Sequence, residues 1–335
     1  MPTMNTVRFH QSGEPEVLIY EQVDRPAPMA GQVLVKVSAI GVNYADVMRR
    51  SAPDSYPVPS PLPYALGGEA TGTIVELGAG VSPHYQGRRA IVFPGAGCYS
   101  DYVVVPVDRV FDLPEGLSDE DALALFVQGL TAAFVLRYSA RLAHNETLLV
   151  QGAAGGVGNL AVQLGRQYGA GKIIGCASSP EKRALVERLG ADLTVDYRDP
   201  AWPDQVRDFT QGKGVDVVME MTGGTVAHQS ISLLAPFGRS IIYGHSSGEK
   251  PIVDISILPP RNLSITGFYF RAFLDRADLV ANTLQELATL VSTGRLEVQQ
   301  GGKFPLSEAA SAHRLLESRT STGKLILEPD EQGRD

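Results

Sequence analysis

Apolar positions follow two different rhythms along this chain. Up to about residue 125 they come in short β-branched runs, "VLVKVSAIGV" (33–42), "TGTIVELG" (71–78), "RRAIVFP" (88–94) and "DYVVVP" (101–106), separated by Gly- and Pro-containing turns. Runs of this kind predict strands, and without helical segments between them they predict a compact, barrel-like β unit. From about 130, "TLLVQGA" (147–153), "KIIGCAS" (172–178), "DLTVDY" (192–197), "VDVVMEMTG" (215–223) and "RSIIYG" (239–244) alternate with helical patterns such as "NLAVQLGRQYG" and "PEKRALVERLG". Apolar strands alternating with amphipathic helices predict βαβ units, a parallel sheet covered on both faces. The predicted class is α/β. After "SITGFYF" (264–270) come a predicted helix over 277–293, "LEVQQ", the helical "LSEAASAHRLLESR" and a last strand "GKLILEP"; this tail matches neither rhythm. A proline-rich loop, "APDSYPVPSPLPYALGG" (52–68), interrupts the first part, and loops of that length often carry function.

At 335 residues the chain is long enough for two domains. Its 44% hydrophobic and 20% charged residues are those of a folded soluble protein. The net charge of -8, with Lys and Arg scattered, argues against a nucleic-acid-binding face and favours a small-molecule partner. Cys98 and Cys176 are the only cysteines and lie far apart, which fits a reducing cytoplasm and excludes a cysteine-rich zinc site. The first residues lack an apolar leader core, and no run of 18 apolar residues follows, so neither export nor membrane insertion is expected.

The stretch "VQGAAGGVGNLAVQLG" places glycines where a strand turns into a helix, the setting of the dinucleotide fingerprint GxGxxG. Ala153 stands where the first glycine would be and is expected to widen the turn slightly. Gly155 would let backbone approach a pyrophosphate, Gly158 would let the helix pack on the strand, and the helix N-terminus would face the phosphates. An ordinary glycine turn is the alternative, and the surrounding βα units weigh against it. At the end of the second strand, where NAD enzymes place an acid on the ribose 2′-hydroxyl, this chain reads "GCASSPEKR". Ser178, Ser179 and Lys182 would welcome a 2′-phosphate instead, which favours NADPH. Ser178 and Ser179 also fit as helix caps before Pro180, with Lys182 a solvated charge.

Read in order, "FHQSGEPEVL", "AIGVNYADVMRRS", "YALGGEATGTIVELGAGV", "LFVQGLTAAFVL", "QGAAGGVGNLAVQL", "VDYRD", "YGHSSG" and "HRLLESRTSTGKLIL" resemble the quinone oxidoreductase (zeta-crystallin-like) branch of the medium-chain dehydrogenases/reductases over essentially the whole chain. The resemblance implies a GroES-like β-rich catalytic domain built from 1–125 and 271–335, a doubly wound Rossmann domain over 126–270, NADPH in the cleft, and a homodimer paired through the edge strand 264–270. It implies Lys182, Tyr197 and Arg319 around the 2′-phosphate together with Ser178. Ala154, Gly155, Gly156 and Val157 would cradle the pyrophosphate. Gly244, His245, Ser246 and Phe268 would line the adjacent strand ends, with His245 in place of the more usual Asn, and Asn43 and Thr131 would face the nicotinamide. Tyr44 and Tyr56 are the substrate-pocket tyrosines on this reading; as isolated aromatics they also fit as packing residues.

In zinc alcohol dehydrogenases of the same architecture, "AIGVNYADV" carries a Cys ligand and "GGEATG" a His ligand; here Asn43 and Gly68 stand there. Neither is a normal zinc ligand, and the four-cysteine loop is missing. The six histidines are dispersed and expected to pack or lie at the surface. Asp46 and Glu69 are expected to hold loops by hydrogen bonds. Without a metal, a plain ketone lacks help for its developing alkoxide, whereas a quinone or α,β-unsaturated carbonyl delocalises the charge. The expected function is therefore a metal-independent NADPH:quinone reductase, with Asn43, Tyr44, Tyr56 and Thr131 as candidate catalytic residues and the proton coming from water or a tyrosine. An enone, haloacrylate or enoyl-thioester reductase is the alternative within enzymes. An NADPH-binding crystallin-like or RNA-binding protein without turnover is the alternative outside them.

Overall fold

The computed structural model describes residues 2–52, 58 and 60–330. By density of internal contacts the chain forms two units, 1–127 with 299–335, and 128–298.

The first unit opens with β1 (Thr3–Phe9), β2 (Leu18–Asp24), β3 (Gln32–Val42) and the short helix α1 (Tyr44–Ser51). β4 (Tyr64–Ala65), β5 (Glu69–Leu77), β6 (Arg89–Val92), β7 (Tyr102–Pro106) and β8 (Val110–Asp112) follow, and then α2 (Asp119–Leu123). The long strand β3 is the spine of this unit, with four consecutive buried residues, 39–42, at its end. It pairs antiparallel with β5 along one side and with β7 along the other. The inward residues Val33, Val35, Val37, Ile40 and Val42 share one core with Phe9, Leu66, Ile74, Tyr99 and Val105.

The second unit holds α3 (Leu130–Phe134) and then strands and helices that alternate as far as β13: β9 (Thr147–Val150), α4 (Gly156–Gln167), β10 (Lys172–Cys176), α5 (Pro180–Arg188), β11 (Leu193–Val195), α6 (Trp202–Phe209), β12 (Val215–Glu220), α7 (Gly224–Ser232) and β13 (Leu234–Ile242), followed by β14 (Ser264–Gly267). All six strands are parallel and lie in the order β11-β10-β9-β12-β13-β14. That is the doubly wound 3-2-1-4-5-6 arrangement, whose order reverses between β9 and β12.

The last helix of this unit, α8 (Ala277–Ser292), corrects the expected boundary at 271. Val280, Leu284 and Leu287 on its apolar face are buried. Glu286 pairs with Arg137 through two hydrogen bonds of 2.5 and 2.6 Å, and Glu297 exchanges backbone bonds with the Gln163 side chain at 2.8 and 2.9 Å. Residues 271–298 therefore pack with the parallel-sheet unit. Only β15 (Gln300–Pro305), α9 (Ala309–Glu317) and β16 (Lys324–Glu328) return to the first, where β16 lies between β15 and β3.

The helical stretch Asp119–Ser139 is long and apolar enough to cross a membrane by length and composition alone. Its most apolar window is 72% buried inside the protein, as expected of a core helix.

Candidate active site

In the second unit, the glycine-rich turn leaves β9 at the point where the strand order reverses, the usual ligand crevice of such sheets. Gly152, at φ 61°, takes the left-handed conformation that follows the strand. Ala153 does not need it. Its N–H reaches Cys176 O at 3.0 Å, and its methyl fills space left by Gly175, where an added Cβ would come within 3.2 Å of it. The expectation that alanine widens the turn therefore gives way: the strained position lies one residue earlier and is a glycine.

Gly155 caps α4 in extended conformation without offering a side-chain acceptor, so the first N–H groups of the helix stay available to an anion. A Cβ at Gly158 would lie 2.2 Å from Gly152 O, showing how directly α4 rests on the turn. A Cβ at Gly156 would lie 2.1 Å from the Gln128 carboxamide, which covers the start of the helix and escaped the sequence reading.

At the end of β10, the Ser179 hydroxyl caps α5 by accepting from Lys182 N at 3.3 Å. Its cap role is therefore the one the sequence left as an alternative, while Ser178 stands one residue outside the cap. Burial lowers the pKa of the half-buried Lys182. After β11, Asp196 receives both Arg183, at 3.1 Å, and Arg198, at 2.8 Å. The Tyr197 ring packs on the core around Trp202 and Val195.

The loop after β13 is fastened to the loop after β12 through Ser246 N to Met221 O, 2.8 Å, and Ser247 N to Thr222 O, 2.9 Å, which fixes Gly244, His245 and Ser246 at the same sheet edge. Burial, with nearby Lys250, lowers the His245 pKa, so its imidazole is neutral at neutral pH. Phe268 donates its N–H to Ile242 O at 2.9 Å, and its ring stacks on Phe273. Thr131 is buried in α3, between π-helical turns at Ala124–Gly129 and Val135–Ser139, a local geometry often found near functional sites.

In the first unit, Asn43 is the N-cap of α1 and the centre of a buried polar cluster. Its Nδ2 donates to Glu69 Oε1 at 2.9 Å and to Gly41 O at 3.3 Å. Lys324 Nζ donates to Asn43 Oδ1 at 3.0 Å and to Glu69 Oε1 at 2.5 Å, and neither the lysine nor the glutamate side chain has any exposure. Asp46 accepts from Asn43 N at 2.9 Å and Gly67 N at 3.3 Å; burial pushes its carboxyl up to about 6. Gly41 admits the pair, since a Cβ there would stand 2.5 Å from Glu69 Oε1 and 2.8 Å from Lys324 Cε. Lys324 was missed in the sequence because a lysine heading an apolar strand normally reads as exposed; its stem passes over Gly41, which pairs with Ile326 two residues along.

Tyr44, half-buried next to Asn43, has its phenol pKa raised by burial. Arg319, exposed after α9 at φ 57°, is in electrostatic contact with Tyr44. Tyr56 lies outside the described residues. Cys98 and Cys176 are free and buried, and burial pushes both thiols well up.

Residues 29–115 match the model of the alcohol dehydrogenase GroES-like domain and residues 156–292 that of the zinc-binding dehydrogenases. Over 325 residues the chain is 34% identical to a quinone oxidoreductase of Pseudomonas aeruginosa, covering 96% of this chain and 99% of that one. The chain belongs to the quinone oxidoreductase family of the medium-chain dehydrogenases/reductases. The family's Escherichia coli quinone oxidoreductase, solved in complex with NADPH, superposes with a TM-score of 0.90 at 32% identity, over 97% of this chain and 100% of that one. A 2-haloacrylate reductase from a Burkholderia species is 32% identical over 331 residues, covering 96% and 98%. The fold of this family member is thus a GroES-like domain joined in sequence to a Rossmann domain. Although one matching model is named for zinc, the donor set at Asn43 and Gly68 does not fit that ion: one side chain is an amide already bonded to Lys324 and Glu69, the other is absent, and the nearby carboxylate is held by an ammonium.

Proposed function

We propose that this protein is an NADPH-dependent, metal-independent reductase of quinones or other conjugated carbonyl acceptors. The reading rests on the edge at β10, where two hydroxyls and the half-buried Lys182 stand in place of the carboxylate that would select a free 2′-hydroxyl. Ser178, Lys182, Tyr197 and Arg319 receive the 2′-phosphate, and the turn Ala154–Val157 with the α4 N-terminus receives the pyrophosphate. Gly244, His245, Ser246, Phe268, Thr131 and Asn43 serve the rest of the cofactor. Bound NADPH supplies a hydride from its nicotinamide ring. The protein orients the acceptor and keeps it dry, and Tyr44, half-buried next to Asn43, is the described tyrosine placed to return a proton, with water as the other donor because burial makes this phenol a weaker acid. A conjugated acceptor suits a site where the Lys324 ammonium beside Asn43 is already paired with Glu69.

The haloacrylate reductase among the relatives favours a second reading, reduction of an activated carbon–carbon double bond on the same scaffold. Two buried free thiols suit a reducing cytoplasm, and the net charge of -8 suits a small-molecule partner better than nucleic acid. Among the described residues β14 has a single partner strand, which supports a homodimer through that edge.

Loss of NADPH absorbance with a panel of 1,4-quinones and enones separates the readings, and no oxidation with any acceptor overturns both. In the same assay Lys182→Ala is expected to raise the KM for NADPH by about 10-fold or more while leaving that for NADH within about twofold, from the loss of a charge-assisted contact. Equal changes for both cofactors would remove Lys182 from the 2′-phosphate site.

A further inference from the structure

We infer that Lys324 and Glu69 are positioning residues that fix Asn43 as a hydrogen-bond acceptor, so that the group it recognises in the cofactor is a donor, a sugar hydroxyl or a carboxamide N–H. The inference rests on the proposed NADPH-dependent reaction and deepens it.

A primary amide has two N–H donors and one oxygen with two lone pairs. In Asn43 both donors are in use, toward Glu69 Oε1 and Gly41 O, and one lone pair of Oδ1 is taken by the Lys324 ammonium. The capping box of α1 also sets Asp46 N against this side chain, but Asp46 N donates to the Asn43 backbone oxygen at 2.9 Å, so the remaining capacity is a single lone pair. Turning the amide over would bring its NH2 against the ammonium and its oxygen against the Glu69 carboxylate, two repulsive contacts with a fully buried ion pair. The ion pair therefore selects one amide orientation, and Asp46, by accepting from Asn43 N at 2.9 Å, fixes the backbone that carries it.

Two consequences follow for the reaction. Asn43 has no proton with which to polarise or protonate an acceptor carbonyl, so its place among the candidate catalytic residues narrows to orienting the cofactor. Lys324 has its charge matched by Glu69 and its contact with the site made through Asn43. It acts through another residue.

The test combines variants with a measurement on the unaltered chain. Removing one partner would leave a lone buried charge, so the pair is replaced together as Glu69→Gln with Lys324→Met. This double variant and Asn43→Ala are each expected to lower kcat/KM for NADPH by roughly 10-fold or more, with unchanged binding of 2′,5′-ADP, which lacks the nicotinamide half. Combining all three substitutions should be no worse than the worse parent, because the pair acts through Asn43. Wild-type kinetics in the pair variant, or losses that multiply in the combination, overturn the inference. In the unaltered protein labelled with 15N-asparagine, the two Asn43 amide protons, assigned with Asn43→Ala, should exchange slowly with solvent and remain protected when NADPH is added. Fast exchange of either proton overturns the inference even if the pair variant fails to fold. A wild-type chain that oxidises no NADPH would defeat the functional reading, and the amide protons would still decide whether Lys324 and Glu69 hold Asn43.

Discussion

At the scale of single residues, two buried titratable groups of the first unit oppose each other as pH falls. His313 Nε2 shares a hydrogen bond of 3.0 Å with the Tyr99 hydroxyl, while its Nδ1 has no partner among the described residues. Burial, and then the nearby Arg50 guanidinium, lower its pKa from 6.5 to about 3. Between those values the unfolded chain carries a proton the folded chain refuses, so stability is lost as pH drops below about 6.5. Asp46 is the reverse case. Burial raises it from 3.8 to about 6, so across that interval the folded chain holds a proton the unfolded chain releases, and acidification stabilises. Each group has a slope of about 1.4 kcal/mol per pH unit. From about pH 6 to 4 the two offset. Relative to wild type, His313→Gln should then gain stability on acidification over this range and Asp46→Asn should lose it. Denaturant unfolding of the three proteins at about pH 6, 5 and 4 checks this, and parallel trends in all three would show that neither shift is real.

At the scale of elements, the strand–turn–helix around 150–167 was legible because an apolar strand, a glycine cluster and an amphipathic helix each announce themselves in the residue pattern. Which glycine carries the strain was not, since φ at Gly152 depends on where β10 and α4 sit. Lys324 was illegible for a related reason: apolar patterning places a lysine outside, and only the pairing of β16 with β3 brings it over Gly41 and Glu69. The two glycines of α4 make different demands. A methyl at Gly158 meets backbone, Gly152 O and Ala153 Cα, whereas one at Gly156 meets only the movable end of Gln128. Gly158→Ala should therefore destabilise by about 1–3 kcal/mol, despite the gain of roughly 1 kcal/mol that alanine brings in an exposed helix interior. Gly156→Ala should unfold like wild type and weaken NADPH binding by displacing Gln128 from the start of the helix. Thermal unfolding with cofactor titration distinguishes the pair, and equal melting temperatures for the two variants would contradict the packing argument.

At the scale of the whole chain, the change of rhythm near 130 separated a β unit from an α/β unit because the two pack by different periods. The boundary near 271 was misread because α8 is amphipathic like any surface helix, and sequence alone does not say which unit its apolar face meets; Arg137–Glu286 and Gln163–Glu297 answer that. The same unit ends in an edge that needs an explanation. β14 presents Ser264, Thr266 and Gly267 as exposed residues on a strand that pairs, among the described residues, with β13 alone, and it has neither the charges nor the proline that usually blunt a free edge. Close to it in sequence, Ile252 and Ile255 are each 75% exposed, Phe237 of β13 is 74% exposed and Tyr269 is 43% exposed. An unblunted edge with large apolar residues nearby is stable in water when a second copy covers it. The chain of 35.9 kDa should accordingly run at twice that mass by light scattering at micromolar concentration. Ile255→Glu combined with Phe237→Glu should shift the mass toward the monomer while leaving NADPH binding in place, since neither residue belongs to the cofactor edge. A wild-type mass of one chain at these concentrations would assign the exposed residues to some other partner.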